Sequence, residues 1–322
     1  MKKHIYICDY MRAVSAIFVV LFHYTSRYEE LFGHRSPYPL SFSWGSMGVA
    51  VFFLLSAFLT AVRMDERMTP GKWCFSRFVR LYPMYWAAMI LTAVVTGIFL
   101  PERAVSGKAF VFNCTMLQDF VGIASVDGAY WTLRYELTFY LFVFALLLIA
   151  KAKHLKVGMW CWMGVAMLLD LAGAPGRVKD LLLCSYISPF VLGVTLGSPS
   201  QKHVVWDAAV MVIALLYFGC KNGVGYALYL AAAAALLLAT RIPSVRAWRL
   251  PSCLHVPLTF MAGISYPLYL LHQNIGYAVI RGLENAGCVR EIFLLFPITV
   301  VTAAAFGLNE ANKRILKAIS RR

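Results

Sequence analysis

Charge is what this sequence has least of. Only 14% of its 322 residues are Asp, Glu, Lys or Arg, against about 25% in a soluble protein, and 61% are hydrophobic. That leaves too little polar surface to coat a globule in water, so a water-soluble fold is excluded. Acidic residues are scarcer still, 15 against 30 Lys and Arg, for a net charge of +15. In a soluble chain that excess would point to nucleic acid; here the basic residues cluster between long apolar runs, which is the chemistry of membrane loops, and no nucleic-acid partner is expected. The eight cysteines include no C-x-x-C and no zinc spacing, so free apolar thiols are expected and no metal site. There is no H-E-x-x-H, no G-x-x-x-x-G-K-[ST] and no G-x-G-x-x-G, which leaves zinc protease, ATPase and dinucleotide readings without support. Internal repeats and low-complexity tracts are also absent.

What is present is a succession of apolar segments at about 6–28, 47–64, 78–100, 130–150, 157–173, 181–197, 204–219, 223–240, 257–280 and 291–309. Runs such as that from Tyr226 to Thr240 contradict the period-two alternation of a barrel, so each segment reads as a helix. The expectation is an all-α, polytopic integral membrane bundle of about ten transmembrane helices, forming one domain over residues 1–322. Lys2 and Lys3 before the apolar stretch from Ala13 to Phe22 faintly resemble a signal peptide. No small-x-small cleavage site follows, so an uncleaved first span is expected. One set of loops carries nineteen Lys and Arg and the opposite set nine. The positive-inside rule then places both termini in the cytoplasm, with Lys72, Lys153, Arg246 and Lys317 inside and Ser36, Lys108 and Gly287 outside.

Ionisable side chains within a span cost a few kcal/mol and mark function by default. Arg12, His23, Glu136 and His272 are such groups. Arg12 and His23 are eleven residues apart, almost three full turns, which sets them on one helical face ~16 Å apart. A structural reading stays open, in which Arg12 pairs with Asp9 one turn earlier and His23 makes a packing contact near the outer interface. Depth arithmetic puts His23, Glu136 and His272 about 8, 10 and 12 Å from the outer ends of their spans, in one layer. A histidine with a carboxylate nearby is the minimum kit for proton transfer at neutral pH. Arg77 and Arg80, one turn apart at the inner surface, suit phosphate recognition or simple interfacial anchoring. Ser56 is read as a small helix-packing residue rather than a nucleophile.

Taken together, these residues resemble acyltransferase family 3, the integral membrane O-acyltransferases. Asp9 and Arg12, followed after ten intervening residues by His23, look like its opening motif. The run from Gly48 to Leu59 is similar to its second-span signature, and Arg77, Arg80, Tyr82 and Pro83 match its R-x-x-R and Tyr-Pro. The segment from Trp131 through Glu136 to Tyr140 resembles its W-[ST]-L-x-x-E-x-x-F-Y, and Ser265, Tyr269 and His272 fit its late S-Y-x-x-Y-L-x-H. Ala57 stands where glycine is usual, and Leu137 where a second acidic residue is common. No fused soluble esterase-like domain is expected.

The resemblance implies an acyl-CoA-dependent enzyme moving an acyl group, by family default acetyl, from cytoplasmic acyl-CoA to a hydroxyl of an extracytoplasmic or cell-surface saccharide. It implies His23 as general base or transient acyl carrier, Glu136 as its support, and Arg12, Arg77 and Arg80 on the donor, with no metal. The implied setting is a bacterial inner membrane, with lipid, acyl-CoA and a glycan acceptor as partners. The alternative is a secondary transporter or flippase for an anionic lipid or glycan, using the same His and Glu residues as a proton relay.

Overall fold

The computed structural model describes residues 4–34, 41–198, 203–288 and 292–319. Lys2, Lys3, Arg35, Ser36, Lys202, Arg290, Arg321 and Arg322, which enter the charge asymmetry or the predicted sidedness, lie outside them. The described residues are helical with no strand: α1 (Tyr6–Phe32), α2 (Gly48–Arg63), α3 (Pro70–Phe99), α4 (Gly107–Asn113), α5 (Trp131–Ile149), α6 (Leu155–Leu171), α7 (Gly176–Leu181), α8 (Ile187–Gly197), α9 (Val204–Asn222), α10 (Val224–Ala239), α11 (Pro243–Ala247), α12 (Ser252–Asn285) and α13 (Ile292–Ile319). The expected helical membrane bundle is found. Among the described residues, seven helices are long and apolar enough to cross a bilayer. Three of the ten expected spans are shorter: α6 has 17 residues, α10 has 16 and α8 has 11. The predicted span 181–197 is interrupted because Leu183 takes a left-handed backbone (φ +58°), ending α7 and turning the chain before Ile187.

The chain divides into two compact units. The first comprises residues 1–12, 47–76 and 135–255, and its center is the packing of α2 on α8. Helix α8 is buried on every side from Ile187 to Leu196. It reaches α2 through Gly193 and Gly197, where an added Cβ would lie 2.4 Å from the carbonyl oxygen of Leu54 and 2.7 Å from that of Phe58. Ala57 and Ala61 face these glycines from α2, so small residues at a four-residue spacing on both helices let the backbones touch. Ala57, the departure from the family's usual glycine, is thus matched by a glycine on its partner helix.

Helices α6 and α9 of the same unit are tied at both ends by ion pairs. The Lys156 ammonium donates to both Asp207 carboxylate oxygens (2.8 and 3.2 Å), and Lys221 donates to those of Asp170 (3.1 and 2.9 Å). The partners are fourteen residues apart on each helix, so the two run parallel and the segment between them, which holds α8, returns across the unit.

The second unit comprises residues 13–46, 77–134 and 256–322. Here α12 carries three consecutive buried polar residues, His272, Gln273 and Asn274. Within α1 the α-helix gives way to a single π-helical turn over His23–Arg27, buried from His23 to Ser26.

If close approach is what holds α2 and α8 together, Gly193→Ala lowers the melting temperature in detergent, on the scale of the 1–3 kcal/mol that overpacking costs. Gly164→Ala, whose added methyl meets nothing within 4 Å, serves as the control and leaves melting at or slightly above the parent value.

Candidate active site

The second unit brings His23 and His272 together. The π-helical turn begins at His23, and such turns are frequent at functional sites. His23 Nδ1 lies 2.8 Å from the carbonyl oxygen of Val19, and His272 Nδ1 lies 2.7 Å from that of Tyr269. A carbonyl oxygen only accepts, so each neutral ring holds its proton on Nδ1. The lone pair on His272 Nε2 then faces His23 Nδ1 at 3.2 Å, with the ring planes at 84°. The Nδ1–H of His23 is shared between two acceptors, and its Nε2 is left with the lone pair a general base needs. Tyr24 fixes the same region of α12 by donating to the carbonyl of His272 (2.8 Å).

Around this pair lies a buried polar network that sequence reasoning missed. Asn274 donates its backbone N–H to Asp127 Oδ2 (3.0 Å) and its side-chain amide to the carbonyl of Val126 (2.9 Å). Its Oδ1 accepts from Arg103 Nε (2.7 Å). Asp127 also caps the turn that opens α5 by accepting from the N–H of Ala129 (2.9 Å). The one visible signal was the polar triplet His272-Gln273-Asn274 in an apolar helix; Asp127 and Arg103 read as ordinary loop charges.

The other predicted residues of this unit lie on α3, α5 and α12. Tyr269 donates its hydroxyl to the carbonyl of Ala129 (2.9 Å) and lies 2.7 Å from Thr132 Oγ1. Ser265 donates to the carbonyl of Ala262 within its own helix (2.9 Å). Tyr82 donates to the carbonyl of Thr115 (2.9 Å) and stacks on Phe78. Trp131 is 37% exposed. Arg77 and Arg80 sit one turn apart on α3, Arg80 exposed and Arg77 partly so.

In the first unit, Glu136 Oε1 accepts from Ser56 Oγ (2.9 Å) and from the Tyr140 hydroxyl, while Ser56 and Tyr140 are themselves 2.9 Å apart. Ser56 thus joins α2 to α5 through hydrogen bonds. Ala57, one residue and 100° further round α2, makes the close contact and turns Ser56 toward the carboxylate. Arg12 Nη1 pairs with Asp9 Oδ1 at 3.4 Å, the local partner that the structural reading named. Asp9 also contacts the ring of His4.

Comparisons with known proteins identify the family. A family model described as an acyltransferase domain matches residues 5–308. The chain belongs to this acyltransferase family. It is 27% identical over 253 residues to the exopolysaccharide production protein ExoZ of Rhizobium meliloti (strain 1021), covering 72% of this chain and 76% of that protein. It is 26% identical over 206 residues to the acyltransferase MdmB of Streptomyces mycarofaciens, covering 56% of this chain and 53% of that one. Nodulation protein 10 of Rhizobium leguminosarum bv. viciae matches over a shorter stretch, 27% over 128 residues, or 32% of this chain and 35% of that protein. No solved structure matches the chain. Family membership and the apolar helices together make this an integral membrane acyltransferase.

The network makes a pH prediction. Burial pushes the Asp127 carboxyl up from 3.8 to about 6, against the lowering effect of the amides of Ala129 and Asn274 and of the Arg103 guanidinium. The folded chain therefore holds this proton more tightly than the unfolded chain, so the stability contribution is full below pH 3.8 and is lost as pH rises through about 6. Melting temperatures recorded from pH 4 to 7 decline across that window in the parent, and the decline is shallower in Asp127→Asn.

Proposed function

We propose that this chain transfers an acyl group, acetyl by preference, from cytoplasmic acyl-CoA to a hydroxyl of an extracytoplasmic saccharide. The observation that carries the reading is the His23–His272 pair, which leaves a lone pair on His23 Nε2 in a chain of an acyltransferase family. The saccharide acceptor is supported by the name of ExoZ, an exopolysaccharide production protein.

In the reaction the acceptor hydroxyl gives its proton to His23 Nε2 as its oxygen attacks the thioester carbonyl carbon. The C–O bond forms, the C–S bond breaks, and the imidazolium returns the proton to the departing CoA thiolate. Charge on His23 is supported by the Val19 carbonyl and His272 Nε2, both acceptors for its Nδ1–H, so His272 is a positioning residue that works through His23. Glu136 keeps the supporting role that the family motif implies for it; within its own unit two hydroxyls converge on one of its carboxylate oxygens. Arg77 and Arg80 take the CoA phosphates and Arg12 the arm of the donor. The charge asymmetry of the loops supports cytoplasmic termini and a cytoplasmic donor side, and the bacterial inner membrane is the setting that the family resemblance implies.

His23→Ala inserts, melts near the parent and binds acyl-CoA, but loses at least ~100-fold in transfer rate per folded molecule, the lower scale for removing a general base. Glu136→Gln keeps the shape and loses less. Turnover near the parent rate in folded His23→Ala ends the assignment.

Arg80→Ala raises the KM for acetyl-CoA about tenfold, the equivalent of a lost ~1.4 kcal/mol contact, with little change in the acceptor KM. Unchanged donor affinity with poorer insertion would instead make Arg80 an interfacial anchor.

A further inference from the structure

A cleft of about 510 Å³ opens in the second unit between the segment 119–128 and the first turn of α5, with Asp119, Ser125, Gly128, Trp131 and Arg134 in its walls. Its size falls within the roughly 300–1,000 Å³ of small-molecule sites. We propose that this cleft is the acceptor subsite and that it holds a pyranose ring. In this arrangement Trp131 meets the C–H face of the sugar, and Asp119 and Ser125 meet its hydroxyls. The proposal rests on the acyltransfer reading above and deepens it.

The cleft is built to hold its shape. Asn113 is fully buried, and its amide donates to the carbonyls of Ala109 (2.8 Å) and Ala124 (2.9 Å) while its Oδ1 accepts the N–H of Val126 (3.0 Å). One buried side chain thus pins the cleft wall at two points. Three aromatic residues on α3 secure the base of the same segment: Tyr85, Trp86 and Tyr82 donate to the carbonyls of Asn113 (2.7 Å), Cys114 (2.8 Å) and Thr115 (2.9 Å). Within the wall, Gln118 Nε2 donates to Ser125 Oγ (3.1 Å), which donates in turn to Asp119 Oδ1 (3.1 Å). The polar atoms are therefore placed before any ligand arrives, and a ligand meets no ordering cost in this wall.

The chemistry of the walls selects the ligand class. A partly exposed indole beside a carboxylate and a hydroxyl matches a molecule with one apolar C–H face and a rim of hydroxyl groups. An acyl chain has no use for Asp119 and Ser125, and with one carboxylate (Asp119) set against one guanidinium (Arg134) the lining offers no net positive charge to a multiply phosphorylated donor.

The wall of the cleft is also packed against the helix that carries His272. Gly128 lies so close to Gln273 that an added Cβ would be 2.6 Å from its amide nitrogen, and Gln273 adjoins His272. Tyr269 bridges the two features: its hydroxyl holds the Ala129 carbonyl, and its own carbonyl takes the Nδ1–H of His272. The backbone that carries Trp131 is thus fixed by a residue whose own carbonyl orients His272.

The test uses the full chain in nanodiscs. Saturation-transfer NMR is recorded with methyl β-glucoside, methyl β-galactoside, methyl β-mannoside, cellobiose and lactose, and transfer from labeled acetyl-CoA is measured in parallel. The expected result is binding of at least one saccharide by the parent and by His23→Ala. Trp131→Ala and Asp119→Asn each weaken that binding at least tenfold, Trp131→Phe retains most of it, and the effect on transfer lies in the acceptor KM rather than the donor KM. The proposal is overturned if none of the five saccharides binds the parent, if folded Trp131→Ala and Asp119→Asn both bind like the parent, or if the donor KM rises instead. Saccharide binding that depends on Trp131, in a parent that transfers nothing, upholds the subsite and removes the acyltransfer reading. Transfer with an unchanged acceptor KM in Trp131→Ala and Asp119→Asn does the reverse.

Discussion

The Nδ1–H of His272, given to the carbonyl of Tyr269, is the contact on which the chemistry of the second unit depends. It decides which nitrogen of His272 faces His23, and hence that two acceptors share the His23 Nδ1–H. It also joins the ring to a tyrosine whose hydroxyl holds the start of α5. Hydrocarbon supplies no water to correct a misplaced proton, so backbone carbonyls do the work that solvent does in a soluble enzyme.

The same constraint explains why polar residues of the described chain come in networks. Asn113, Asp127 and Asn274 together satisfy backbone groups between and beside the short 3-10 turns of the segment before α5. Removing one member of such a network leaves its buried partners unsatisfied, which ties the shape of the loop to the integrity of α12.

Much of this was legible in the sequence, and the limits have physical causes. Apolar runs of about twenty residues announce spans whatever the tertiary structure, and His23, Glu136 and His272 stand out because a bilayer tolerates so few ionisable groups. The π-helical turn at His23 left no trace, since His23 to Arg27 contains neither proline nor glycine. Nor did the break at Leu183, an ordinary apolar residue forced into a left-handed conformation. Which of the adjacent small residues Ser56 and Ala57 meets α8 depends on the rotation of α2, and that is fixed by Gly193 and Gly197 on α8. Asp127 and Asn113 looked like loop residues because burial of a loop polar group is a property of the fold, not of the local sequence.

The paired ends of α6 and α9 have a consequence for the lipid. Fourteen residues of helix separate Lys156 from Asp170, and the same number separate Asp207 from Lys221, a rise of ~21 Å. That is shorter than the ~30 Å hydrocarbon layer of a typical bilayer. Where these two helices meet lipid, the acyl chains must compress or the ion pairs must sit below the headgroups. The thickness of the surrounding membrane therefore acts as a mechanical load on the first unit, and lipids with shorter chains relieve it.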